Sequence, residues 1–167
     1  MKIFLIGMMG VGKSTVGNEL AALLGCECLD LDEQVQKSAG ITVCEIFEKF
    51  GESKFREIES EALFNISSSA DMVIATGGGT PLSSENRKFI KNLNDKIVVR
   101  LTATPENIRK RLQGDAKRPL LKGKNTLEYI EKLSKEREEI YRELSDFVLD
   151  TDELTQRQLA EKIKELI

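Results

Sequence analysis

Apolar residues along the chain fall into short runs separated by stretches of helical spacing. Lys2–Ile6 is a β-rich run that ends at Gly7. A helical pattern covers Lys13 to about Leu24, and Glu27–Leu31 predicts a second strand. Val43–Phe50 predicts a helix that stops at Gly51. A longer one follows from Glu52 to about Ser67, with Phe55, Ile58, Ala62, Leu63 and Ile66 at helical spacing. Met72–Thr76 predicts a third strand, broken by Gly77-Gly78-Gly79, and Ser83–Leu93 the next helix. Ile97–Leu101 is a fourth strand. Thr104 before Pro105 then reads as a helix start, with the helix running to about Leu112. Gln113–Lys124 is the long candidate loop. Leu127–Leu144 predicts a charged helix, Phe147–Leu149 a fifth strand, and Thr155–Leu166 a closing helix.

Strands alternating with helices predict an α/β fold: a parallel sheet covered on both faces, with ligands at the carboxyl ends of the strands. The chain has 167 residues, with no linker or repeat, and reads as one domain spanning residues 1–167. Its net charge of −3 argues against a general nucleic-acid or anionic-membrane partner. No apolar run approaches the length of a membrane span. Met1–Gly7 leads straight into a strand-like run instead of a signal-peptide layout, and Cys26, Cys28 and Cys44 read as reduced thiols. The expectation is a cytoplasmic protein. The absence of histidine excludes His-based triads, zinc sites and general bases.

The strongest chemical signal is Gly7-Met8-Met9-Gly10-Val11-Gly12-Lys13-Ser14, which fits the phosphate-binding pattern G-x-x-x-x-G-K-[ST]. It follows a strand and opens a helix, as the mechanism requires. Glycines let successive N–H groups turn toward one anion, and the helix N-terminus adds positive potential. Lys13 then reaches the β- and γ-phosphates, and the Ser14 hydroxyl is placed to ligate Mg²⁺.

Asp30 and Asp32 share a face of the second predicted strand. Asp30 could hold a Mg²⁺-bound water, and Asp32 could accept a proton from a substrate hydroxyl. The alternative is that Asp32 caps the next helix. Arg137 falls on the apolar stripe of Ile130, Leu133, Ile140, Tyr141 and Leu144, so it snorkels to the surface or enters a polar cleft. Arg56 with Glu59 reads as a surface ion pair or as an oriented guanidinium suited to a carboxylate. Arg111 and Arg118 bracket a loop that is either a closing lid or a solvated basic segment. Gly77-Gly78-Gly79 is a strand-ending turn or a place where a ligand approaches the backbone.

The ordered set G-M-M-G-V-G-K-S, L-D-L-D, F-R-E-I-E, G-G-G, R-P-L-L and R-E-E-I-Y closely resembles the shikimate kinase family, from Gly7 to about Asp150. The resemblance implies a nucleoside-monophosphate-kinase-like P-loop fold: three layers, with a five-stranded parallel sheet of order 2-3-1-4-5 flanked by helices. It implies transfer of the γ-phosphoryl group of ATP to the 3-hydroxyl of shikimate, on the route to chorismate and aromatic amino acids. Carried over by motif, Gly10, Val11, Gly12, Lys13, Ser14 and Thr15 bind ATP, with one Mg²⁺ on Ser14 and, through water, on Asp30. Asp32 resembles the residue that holds shikimate hydroxyls and acts as base. Arg56, oriented by Glu59, and Arg137 resemble the shikimate-carboxylate arginines, and Gly77, Gly78 and Gly79 the shikimate-side turn. Arg111 matches the adenine-side position and Arg118 the lid arginine. The substrate-binding helical segment would span about 32–60 and the lid about 112–124, in an enzyme expected to be monomeric.

Rival readings are weaker. A gluconate-type kinase would share the P-loop, but the L-D-L-D, F-R and R-P-L-L set argues against it. A GTPase needs N-K-x-D, which Asn92-Leu93-Asn94-Asp95 does not supply. A non-catalytic nucleotide-binding remnant should have lost Lys13, Asp32 or a cleft arginine, and all remain. Residues 152–155 hold no basic side chain for a second adenine-side contact.

Overall fold

The computed structural model describes residues 1–66, 70–113 and 126–167. Five parallel strands form one sheet in the order β2-β3-β1-β4-β5, as the resemblance implied. They are β1 Lys2–Ile6, β2 Glu27–Asp30, β3 Met72–Ala75, β4 Lys96–Thr102 and β5 Phe147–Asp150. The described helices are α1 Lys13–Leu24, α2 Leu31–Ala39, α3 Val43–Phe64, α4 Ser84–Asn92, α5 Pro105–Leu112, α6 Leu127–Leu144 and α7 Gln156–Glu165. A 3₁₀ turn covers Thr80–Leu82.

The central strands are buried on both faces, as parallel sheets require, which is why β1 and β3 read as continuous apolar runs. The main core joins Phe4, Leu5 and Ile74 of the sheet to Leu20 of α1, Ile130 and Tyr141 of α6, and Ile163 of α7. A separate cluster of Val35, Ile46 and Phe55 ties α2 to α3. Inside α3, Gly51 takes φ 80° and ψ 176°, so the helix breaks there, at the position where the pattern stops it. The second half ends at Phe64, earlier than the expected Ser67, which lies outside the described residues.

The junction after β2 also departs from expectation, and the pattern predicts no helix between the second strand and Val43. β2 ends at Asp30 and α2 begins at Leu31, so Asp32 lies in the first turn of a helix and not on a strand face beside Asp30. The cause is a cap: one Asp30 carboxylate oxygen accepts from the backbone N–H of Asp32 at 2.9 Å and of Glu33 at 3.4 Å. Leu31 and Val35, one helical turn apart, are both fully buried and hold α2 in place. The capping residue is therefore Asp30, and the alternative that Asp32 caps the helix does not hold.

Candidate active site

The carboxyl edge of the sheet gathers the chemistry. A cavity of about 380 Å³ opens there, lined by Gly10, Val11, Gly12, Lys13, Ser14 and Thr15 of the loop after β1, by Asp30 and Asp32, and by Thr76, Gly77 and Gly78 after β3. Arg111, Leu112, Thr151 and Leu154 close its far end. Lys13 is buried, and its Nζ donates to the carbonyls of Gly7 at 3.0 Å and Met8 at 2.8 Å, curling the loop around its own cation. Thr15 Oγ1 donates to the Gly12 carbonyl at 2.9 Å. The Ser14 hydroxyl donates to the Asp30 oxygen that the helix cap leaves over. These are hard oxygen ligands, one hydroxyl and one carboxylate, beside a phosphate-binding loop. That set fits Mg²⁺, which takes few protein ligands and completes its shell with phosphate and water.

The turn after β3 is where α2, α3 and α6 converge. A Cβ on Gly79 would lie 2.3–2.5 Å from the Arg56 guanidinium, and one on Gly77 would lie 2.5 Å from Glu59 Oε1 and 3.1 Å from Asp32 Oδ1. These side chains pack directly on the glycine backbone, so a Cβ at either position would displace them. From α6, Arg137 is buried and its Nη1 lies 3.4 Å from the Gly78 carbonyl. Arg137 therefore does not snorkel to the surface; its guanidinium lies against the glycine turn.

Glu59 is fully buried. One oxygen accepts from Arg56 Nη1 at 2.7 Å and the other from Thr80 Oγ1 at 2.6 Å. Burial pushes its carboxyl above the ordinary range, while the Arg56 charge and the two hydrogen bonds pull it back. The Arg56 guanidinium also reaches Glu52 at 3.2 Å and lies over the Phe55 ring, 5.1 Å from its centroid. Arg56–Glu59 is therefore a half-buried oriented pair, not a solvated one.

On the far side, Arg111 donates to Thr151 Oγ1 at 2.8 Å, to the Thr151 carbonyl at 3.0 Å and to Asp152 at 3.3 Å. Asp152 also accepts from the Thr104 backbone N–H at 2.7 Å. Burial alone would raise its carboxyl, but the Thr104 bonds and Arg111 hold it below the usual range. The segment that lacks a basic residue thus supplies an acidic tether for Arg111. Arg118 and nearly all of the expected lid at about 112–124 lie outside the described residues.

Three residues at this edge have polar contacts that the hydrophobic pattern does not show. Tyr141, placed in the apolar stripe, donates its hydroxyl to the Gly78 carbonyl at 2.5 Å. A buried tyrosine hydroxyl needs such a partner, and that need was the available signal. Arg100, a charge within an otherwise apolar buried strand, makes two bonds to Glu138 at 2.7 and 2.6 Å and lies 5.5 Å from the centroid of the Tyr141 ring. Thr80 carried no sequence signal.

Known proteins resemble this chain in sequence and in fold. Residues 9–167 match the family model described as Shikimate kinase. A shikimate kinase from Thermodesulfovibrio yellowstonii is 44% identical over 161 residues, covering 96% of this chain and 91% of the relative. One from Actinobacillus pleuropneumoniae is 41% identical over 165 residues, covering 99% and 94%. Among solved structures, the shikimate kinase from Acinetobacter baumannii in complex with shikimate superposes with a TM-score of 0.93 at 41% identity, covering 99% of this chain and 91% of that one. The shikimate kinase from Aquifex aeolicus gives a TM-score of 0.83 at 36% identity, covering 99% and 95%. A family match over almost the full length, near relatives in sequence and shared architecture lead to one conclusion: the chain belongs to the shikimate kinase family.

Proposed function

We propose that this site transfers the γ-phosphoryl group of ATP to the 3-hydroxyl of shikimate, giving shikimate 3-phosphate and ADP. ATP-dependent phosphorylation of shikimate is the activity of the family to which the chain belongs, and ATP is the co-substrate. The observation that carries the residue roles is the convergence of Asp32, Arg56 and Arg137 on Gly77-Gly78-Gly79 beside the phosphate loop. A hydroxylated carboxylic acid needs cations for its carboxylate and an acceptor for its reacting hydroxyl, and this arrangement supplies both.

In this reading the backbone of Gly10, Val11 and Gly12, with Lys13 and Thr15, binds the phosphates, and Arg111 packs at the adenine end. Ser14 would hold Mg²⁺ directly and Asp30 through water. When bound, the ion neutralises charge on the β- and γ-phosphate oxygens. Arg56 and Arg137 grip the shikimate carboxylate, Glu59 orients Arg56, and Asp32 holds the hydroxyl and accepts its proton as the new O–P bond forms. In-line positioning and charge stabilisation supply most of the rate, so the base acts late and modestly. We take residues 1–167 as one kinase domain whose helical segment at about 32–60 forms the substrate side. The packing of α2 on α3 as a cluster of its own supports that division. We further infer a monomeric cytoplasmic enzyme; among the described residues no helix is long and apolar enough to cross a membrane.

Coupled ADP release with Mg²⁺ and ATP, run with shikimate and separately with gluconate, tests the reading. Shikimate-dependent release that stops without Mg²⁺ is expected. Folded, ATP-binding protein with no shikimate-dependent release would overturn it.

A further inference from the structure

Thr80 is fully buried and opens the 3₁₀ turn directly after the three glycines. The turn is fastened to α4: Asn86 Nδ2 donates to the Thr80 carbonyl at 3.0 Å, and Arg87 Nη1 to the carbonyls of Pro81 at 2.7 Å and Leu82 at 2.9 Å. The Thr80 backbone N–H donates back to Gly77 at 3.2 Å. Its hydroxyl therefore sits at a fixed point, and that point is 2.6 Å from Glu59 Oε1. The other Glu59 oxygen holds Arg56 at 2.7 Å. A carboxylate with one contact can rotate. With one oxygen held by an immobile hydroxyl, the other oxygen, and the guanidinium on it, point one way.

We propose that Thr80 is a positioning residue for substrate capture, acting through the Glu59 carboxylate to aim the Arg56 guanidinium across Gly79 at the substrate's carboxylate. The proposal rests on the reading of Arg56 as a substrate-carboxylate residue. The charged groups facing Glu59 are Arg56 from α3 and Asp32 from α2. Arg56 lowers the Glu59 titration and Asp32 raises it, and the Thr80 hydroxyl adds a further lowering contribution. Loss of that hydroxyl moves the Glu59 titration upward, a change that mere packing at position 80 would not produce.

The test compares Thr80→Val, which keeps the shape and removes the donor, with Thr80→Ser, which keeps the donor, and with Arg56→Ala. Each is assayed for kcat and for KM of shikimate and of ATP from about pH 5.5 to about pH 9. Thr80→Val is expected to raise the shikimate KM about tenfold, the scale of one hydrogen bond to a charged group. Its kcat should stay within about twofold and its ATP KM should be unchanged. The acid limb of kcat/KM for shikimate should shift to higher pH in Thr80→Val and not in Thr80→Ser. Thr80→Ala replaces Thr80→Val if the latter does not fold, with the same outcome expected. A shikimate KM unchanged in Thr80→Val, or equally damaged in Thr80→Ser, overturns the positioning role while Arg56→Ala still raises it. An unchanged shikimate KM in Arg56→Ala instead overturns the site reading beneath the proposal, and the proposal with it.

Discussion

Gly79→Ala should cripple shikimate use without disturbing the fold. Gly79 has φ −97° and ψ −8°, a conformation open to any L-residue, so the added methyl is the whole perturbation. That methyl would lie 2.3–2.5 Å from three atoms of the Arg56 guanidinium, where ordinary contact begins at 3.4 Å. The guanidinium must retreat by about 1 Å, and misplacement on that scale costs a reaction about 10²-fold. The fold suffers less, because the displaced group is the far end of a flexible side chain. Loss of glycine's freedom in the unfolded chain returns about 0.4–1 kcal/mol. Against that, moving Arg56 loosens a pair whose carboxylate is fully buried, and breaking such pairs outright costs about 3–5 kcal/mol. Arg56 is partly exposed and can slide along Glu59, so the loss stays well below that figure.

Steady-state kinetics and a thermal melt separate the two effects. We expect kcat/KM for shikimate to fall about 10²-fold, the ATP KM to hold, and the melting temperature to move by only a few degrees. The methyl acts through one side chain, so Gly79→Ala should do little more in an Arg56→Ala background, a non-additivity diagnostic of contact. A kcat/KM within about threefold of wild type would refute the argument. So would the full loss in the Arg56→Ala background, because the methyl would then be acting on something other than Arg56.

Other substitutions probe the remaining parts. Asp32→Asn should lower kcat by about 10²–10⁴-fold while ATP binding by calorimetry is retained, and near-wild-type turnover would remove Asp32 from the proton-accepting role. Arg137→Ala should weaken shikimate binding by about 2–5 kcal/mol, measured by equilibrium titration, and unchanged affinity would detach Arg137 from the substrate carboxylate. Glu59 supplies a pH test of stability. Its folded carboxyl is raised by burial, so the native state holds the proton more tightly than the unfolded chain. Its contribution to stability therefore falls as pH rises from the ordinary value near 4.5 through the raised one. Glu59→Gln should lack that decline in urea midpoints measured across the window, and a variant that tracks wild type at every pH would be inconsistent with a buried, raised carboxyl.

The sheet and its motifs were legible because their signals are local. A strand-to-helix phosphate loop, a glycine that stops a helix, and an arginine on an apolar stripe can each be recognised within one turn or one strand. The side chains around the glycine turn interact across the chain. Thr80 meets Glu59 from 21 residues away, and Tyr141 reaches Gly78 across 63. No periodicity encodes such pairings. Only the rule that buried polar groups must be satisfied hints at them, and it names the need without the partner.

Asp30 and Asp32 show how a local signal can be misassigned while both carboxylates still reach the carboxyl edge of the sheet. Alternation along L-D-L-D placed both carboxylates on a strand face. In the structure the Asp30 carboxylate ends the strand by accepting the N–H groups of the next helix, which turns Asp32 out of the sheet and into a helical first turn. The two carboxylates then separate in place. Asp30, fixed by the cap, keeps one oxygen for Ser14 at the phosphate loop. Asp32 sits beside Glu59 at the glycine turn, where a carboxylate near a helix N-terminus is electrostatically favoured. On a strand the pair would have shared one environment. The cap places one beside the phosphate loop and the other at the glycine turn, the separation that the proposed transfer from nucleotide to acceptor needs.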